Sequence, residues 1–60
     1  MNLKINDTVW GVDEKNIVNN CYGIIKNIYT LNNGTSIYLV KFDHGSFLLK
    51  ENQIIVNLVF

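Results

Sequence analysis

Few residues in this 60-residue chain could do chemistry, and their spacing assembles no reacting set. His44 follows Asp43, the residue types of an acid–base pair or a metal site. Neighbours in a turn do not converge on one substrate atom, and no nucleophile or third group is placed to complete them. His44 therefore reads as a turn residue. Asp13-Glu14 would hold a hard cation with Asp43 only if two separate loops converged. Cys21 is the single cysteine. A catalytic thiol needs a histidine or a helix N-terminus to lower its pKa, and neither is placed beside it, so Cys21 reads as a small packing residue. No Cys/His set has zinc spacing. The expectation is a non-catalytic protein with no cofactor and no metal, too small for a substrate pocket.

Binding chemistry is better represented. Trp10 is the only tryptophan, a residue type enriched at interface hot spots; its structural reading is a cover over one end of the core. Tyr22, Tyr29 and Tyr38 would stack on bases or peptide rings, or pack half-buried with a wet hydroxyl. Lys26 and Lys41 become cross-strand neighbours in one register of the central hairpin. Like charges placed opposite each other are costly, and a phosphate or an acidic partner would relieve them. This is the local argument for nucleic acid, through Lys26, Lys41 and Tyr29. The balance of charge argues the other way. Five lysines, no arginine and five acidic residues give a net charge of zero. Phosphate neutralisation drives most nucleic-acid affinity, so tight non-specific binding is not expected. Nothing in this balance points to an anionic membrane surface.

These residues need a scaffold, and the pattern supplies strands. Helical periodicity is poor, and Val, Ile, Tyr, Phe and Thr fill the apolar runs. We expect five strands in one domain spanning 1–60. The first covers about Thr8–Val12, with Val9 facing in and Trp10 out. Asp13–Asn20 reads as a loop with room for a helical turn. The second strand runs from about Tyr22 to Leu31. Ile25 and Ile28 are three apart, so a bulge near Lys26-Asn27 is needed for both to point inward, and Gly23 permits close approach there. Asn32-Asn33-Gly34 suits a type I′ turn or a three-residue loop with Gly34 left-handed, two options that shift the register by one. The third strand, Ser36–Phe42, alternates Tyr38, Val40 and Phe42 against Ile37, Leu39 and Lys41. Asp43-His44-Gly45 makes a tight turn. Ser46–Lys50 is the fourth strand, Glu51-Asn52-Gln53 a single 3₁₀ turn, and Ile54 to about Leu58 the fifth strand. Strands this short avoid open edges by curling into a barrel.

Asp7-Thr-Val9, Gly23-x-Ile25-x-x-Ile28, Tyr38-x-Val40-x-Phe42-Asp43-x-Gly45 and Leu49-x-Glu51-x-Gln53-Ile54 together resemble the SH3-like barrel group, which includes Tudor and KOW-type domains. The resemblance covers about Ile5 to Val56. It implies an all-β, five-stranded SH3-like barrel with a short 3₁₀ turn before the last strand. Tudor-like relatives often hold methylated Lys or Arg in an aromatic cage. The matching positions here are Asp13, Cys21, Lys41 and His44, none aromatic, so the resemblance does not carry the cage over. KOW-type relatives commonly bind RNA, but their basic character is missing.

The length and composition complete the reading. A 60-residue domain buries only about 60% of its unfolded surface, and here no disulfide is available to staple it. Yet 48% of the residues are apolar and only 17% charged. Surplus apolar surface on a small domain marks an interface. Phe47-Leu48-Leu49 and Ile54-Ile55-Val56 place apolar residues on both strand faces, and Leu58-Val59-Phe60 extends this. We therefore expect a protein–protein interaction module or a self-associating one, binding through the last two strands. Phe47, Leu49 and Ile55 would form the interface, with Trp10, Tyr22 and His44 at the other end as a second site. Weak nucleic-acid binding is the alternative. Neither a leader nor an apolar run of membrane-spanning length is seen, so a cytoplasmic location is expected. Ala, Arg and Pro are absent and Asn is abundant, a bias that points to an AT-rich genome such as that of a low-GC bacterium, its phage or a mobile element.

Overall fold

A computed structural model describes residues 3–56. It contains β1 (Thr8–Gly11), β2 (Tyr22–Thr30), β3 (Ser36–Phe42), β4 (Gly45–Lys50), a 3₁₀ turn (Glu51–Gln53) and β5 (Ile54–Val56). All pairings are antiparallel, in the order β4-β3-β2-β1-β5. Five strands, the 3₁₀ turn and the absence of α-helix among the described residues agree with the sequence reading. β4 and β5 are the two edge strands and do not pair with each other, so the sheet is not closed. The expected extension of the last strand to Leu58, and the run through Phe60, lie outside the described residues.

Turn chemistry sets the hairpins. Leu31 O accepts from the Gly34 N–H at 2.9 Å, and the Leu31 N–H donates to Thr35 O at 2.8 Å. Gly34 has φ 85° while Asn32 and Asn33 stay at negative φ. This is the three-residue loop; the type I′ alternative would need positive φ at both central residues. Asn33 adds a side-chain bond, its Oδ1 accepting from the Thr35 N–H at 2.9 Å. The second hairpin pairs Phe42 with Gly45 across Asp43-His44. Only Gly45, at φ 140°, leaves ordinary backbone space there.

The core is the inner face. Val9, Ile25, Tyr38, Val40, Phe42, Leu49 and Ile54 are buried, joined by Leu3 and Val18 from outside the strands. The register of β2 on β3 shifts between Ile25 and Asn27, leaving Lys26 as the bulged residue. The bulge restores inward parity to Ile28, which packs against the core. Close packing also depends on Gly23, where an added Cβ would lie 2.5 Å from Val40 Cγ1 and 2.7 Å from Phe42 Cε1.

The long β1–β2 connection folds back under the sheet. Gly11 and Asn20 close its base: the Asn20 N–H donates to Gly11 O and the Gly11 N–H to Cys21 O, both at 2.9 Å. Asn20 takes the left-handed conformation, φ 62°, that its residue type tolerates. Val18 is thereby buried, and its carbonyl lies where a side chain on Gly11 would stand. The loop is tied to the far end of the chain as well. The Val12 N–H donates to Gln53 O at 2.9 Å, and Gln53 Nε2 donates to Asp13 Oδ2 at the same distance.

Candidate interaction surface

The register that builds the core also decides what faces outward. Residues directly opposite each other in a sheet point to the same side. Ile55, Trp10 and Tyr22 form one outer row across β5, β1 and β2. Thr8, Ile24, Lys41 and Ser46 form the next, across β1 to β4. Asn27, Leu39 and Leu48 form a third, and Tyr29, Ile37 and Lys50 a fourth. On ordinary strand spacings these rows cover roughly 20 Å along the strands and 10–15 Å across them. Ile55, Tyr22, Ile24, Leu48 and Tyr29 are exposed, and Trp10, Leu39 and Ile37 are half-buried. Apolar side chains recur in every row, with exposed polar residues between them, and this is more than the scattered exposed side chains usual on a small protein.

One aromatic pair stands on this face, and a second cluster lies on the inward side at the β3–β4 turn. The Trp10 and Tyr22 rings meet edge-on with centroids 4.3 Å apart and planes at 74°, the geometry the ring quadrupoles favour. At the β3–β4 turn, the His44 ring packs 5.7 Å from Phe42 and 5.4 Å from Phe47, while those two rings are 5.9 Å apart. Tyr29 is fixed by a bond from Asn27 Nδ2 to its hydroxyl at 3.1 Å.

The chain has no match among protein-family models, curated proteins or solved structures.

The expected site residues distribute unevenly over this surface. Trp10, Tyr22 and Ile55 come together in one row, although the sequence pattern places Ile55 with Phe47 and Leu49 and apart from the two aromatics. His44 makes its ring contacts with Phe42 and Phe47 instead. Leu49 is a correction: it is 1% exposed, paired with Tyr38 in the core, and presents no surface. Phe47 is half-buried and packs against the same core. The outward residue of that run is Leu48, at 62% exposed. The Phe42–Gly45 pairing sets this parity, because it places odd-numbered Phe47 and Leu49 beside the inward side chains of β3. Nor do β4 and β5 make one continuous surface through pairing, since each ends the sheet on its own side. Lys26 and Lys41 are not opposite each other. Lys41 faces Ile24, and Lys26 occupies the bulge.

Residues weighed for chemistry stay apart. No group of three or more His, Cys, Asp or Glu side chains comes together among the described residues. Cys21 packs half-buried against the core, with its Sγ 3.6 Å from Asn19 O. The Asp13 carboxyl is held below its ordinary value of 3.8, first by the Gln53 side-chain amide and then by the Lys15 backbone N–H. Around it, Val12, Asp13, Glu14, Lys15, Asn52 and Gln53 line a shallow hollow of about 360 Å³. The Asp13 carboxylate is already engaged by Gln53, which makes it a fastener between loop and 3₁₀ turn. Among the described residues, no helix is long and apolar enough to cross a membrane.

Ile24, Ile37, Leu39 and Leu48 are the surface residues that the sequence reading passed over. For Ile37 and Leu39 the signal was present in the strict alternation of β3, whose second face is Ile37, Leu39 and Lys41. It became legible only with the strand partners known.

Proposed function

We propose that this protein is a non-catalytic binding module that engages a protein partner through the outer face of its sheet. The observation that carries the reading is that Trp10, Tyr22, Ile24, Leu39 and Leu48 lie across four strands on the side away from the core. Burying such a face against a partner recovers about 25 cal/mol per Å² of apolar area. Aromatic anchors at its rim supply hot-spot residue types. On the same reading the architecture is an SH3-like barrel. Support for that comes from β5 returning beside β1, from the bend at Lys26 and from the 3₁₀ turn that leads into the last strand.

Affinity capture with the folded wild type and with Leu48→Asp tests the reading. A discrete protein partner retained by the first and lost by the second supports it; capture that ignores Leu48→Asp removes the face from consideration. Light scattering belongs beside it. Self-association that Leu48→Asp abolishes would assign the face to a second copy. Salt-sensitive capture of nucleic acid that depends on Lys26, Lys41 and Tyr29 would favour the alternative reading.

A further inference from the structure

The chain holds ten asparagines, and one of them, Asn33, precedes a glycine. In that dipeptide a side-chain amide is open to attack by its own backbone. The nitrogen of the following residue reaches Cγ, and a glycine there has no Cβ to crowd the approach. Asn33 and its neighbours from Leu31 to Thr35 are all exposed, and a Cβ built on Gly34 would meet nothing within 4 Å. Reactivity and access therefore coincide at the tip of the β2–β3 hairpin. The folded loop opposes them. The Gly34 N–H, whose proton must leave, donates to Leu31 O at 2.9 Å. Asn33 Oδ1 is held by the Thr35 N–H at 2.9 Å. Turning the Gly34 nitrogen onto Cγ breaks both bonds.

We infer that Asn33 is a self-modification site gated by the hairpin, losing its side-chain amide to water only when the β2–β3 loop opens. The Gly34 nitrogen bonds to Cγ. Its proton and the Nδ2 group leave together as ammonia, and a cyclic imide closes. Water then opens the imide at either carbonyl, its hydroxyl going to carbon and its proton to nitrogen. One product is aspartate; the other, isoaspartate, carries the main chain through the side chain. No electrons change hands. The two products differ in what they do to the fold. Aspartate keeps an oxygen for the Thr35 N–H, and that bond becomes charge-assisted. Isoaspartate puts an extra carbon into the backbone before Gly34. The three-residue loop sets the register of β2 on β3. The isoaspartate chain therefore loses the constraint that places Asn27 beside Leu39 and Tyr29 beside Ile37 on the outer face.

The test incubates the intact chain, folded and urea-unfolded, at mildly alkaline pH. Fragment mass spectrometry locates the lost amide and separates aspartate from isoaspartate, and amide hydrogen exchange measures how often Gly34 opens. We expect Asn33 to react first among the asparagines of the unfolded chain. Folding should slow it roughly tenfold or more, the factor implied by breaking two hydrogen bonds. That slowing should match the exchange protection of the Gly34 N–H. Gly34→Ala should slow the reaction in the unfolded chain as well. Asn33→Asp should melt with the wild type, and the purified isoaspartate product should melt lower. A folded chain that reacts as fast as the unfolded one, or a slowing unrelated to Gly34 protection, overturns the gate. Earlier reaction at another asparagine, or no reaction in the unfolded chain, overturns the site. An isoaspartate product as stable as the wild type overturns the link to register.

Discussion

Trp10 and Tyr22 are partners twice over: paired in register across β1 and β2, and in edge-on ring contact at 4.3 Å. The pair stands on the outer face, with Ile55 completing its row. Since Trp10 is the only tryptophan, its emission reports this contact directly. Tyr22→Leu keeps the strand but removes the ring. We expect a loss of about 0.5–1.5 kcal/mol and a red-shifted Trp10 emission. Unchanged emission would show that the rings do not meet in solution.

Gly23 and Gly34 should respond differently to the same substitution. Gly23→Ala drives a Cβ into Val40 and Phe42, and overpacking of this kind costs about 1–3 kcal/mol. A second change, Val40→Ala, should recover part of that loss. Gly34→Ala meets nothing within 4 Å, but its φ is 85°, so about 1 kcal/mol of backbone strain is the whole effect. No second-site change in the core should rescue it. Urea denaturation of the three variants decides the matter.

Neighbouring leucines on β4 offer a sharp test of register. Leu49→Ala empties a core position and should cost about 2–5 kcal/mol, enough to unfold much of a domain with this little stability in reserve. Leu48→Ser, one residue earlier, should stay within about 0.5 kcal/mol of wild type. Thermal melts showing equal losses would mean that β4 is paired one residue out.

The Asp13–Gln53 contact predicts an acid-range dependence. The folded carboxyl lies below its ordinary 3.8 because Gln53 and the Lys15 N–H favour the charged form. Its folded pKa is thus below its unfolded one. The contact contributes stability above the unfolded value and loses it as pH falls through the folded one. Between neutral pH and pH 4 it should therefore change little. Gln53→Leu should move the Asp13 midpoint, followed by carboxyl NMR, upward toward 3.8. A midpoint indifferent to Gln53 would rule out the bond as the cause.

Much of the fold was readable from local chemistry. β-branched and aromatic runs marked the strands, and Asn32-Asn33-Gly34 and Asp43-His44-Gly45 marked the turns. The two faces of β3 and the need for a bulge near Lys26-Asn27 followed from period-two alternation. These depend on residues close in the chain, whose preferences act before any distant contact forms.

The candidate surface was less readable, because it depends on which residues stand opposite one another. In the run Phe47-Leu48-Leu49 all three side chains are apolar, so composition cannot say which of them faces water. The Phe42–Gly45 pairing chose Leu48. The three-residue loop likewise kept Lys26 from direct opposition to Lys41, which the two-residue turn would have brought about. Sequence alone determined strands, turns and an apolar surplus. Tertiary structure decided where the surplus sits, since a side chain's face is set by strand register, a relation between residues far apart in the chain.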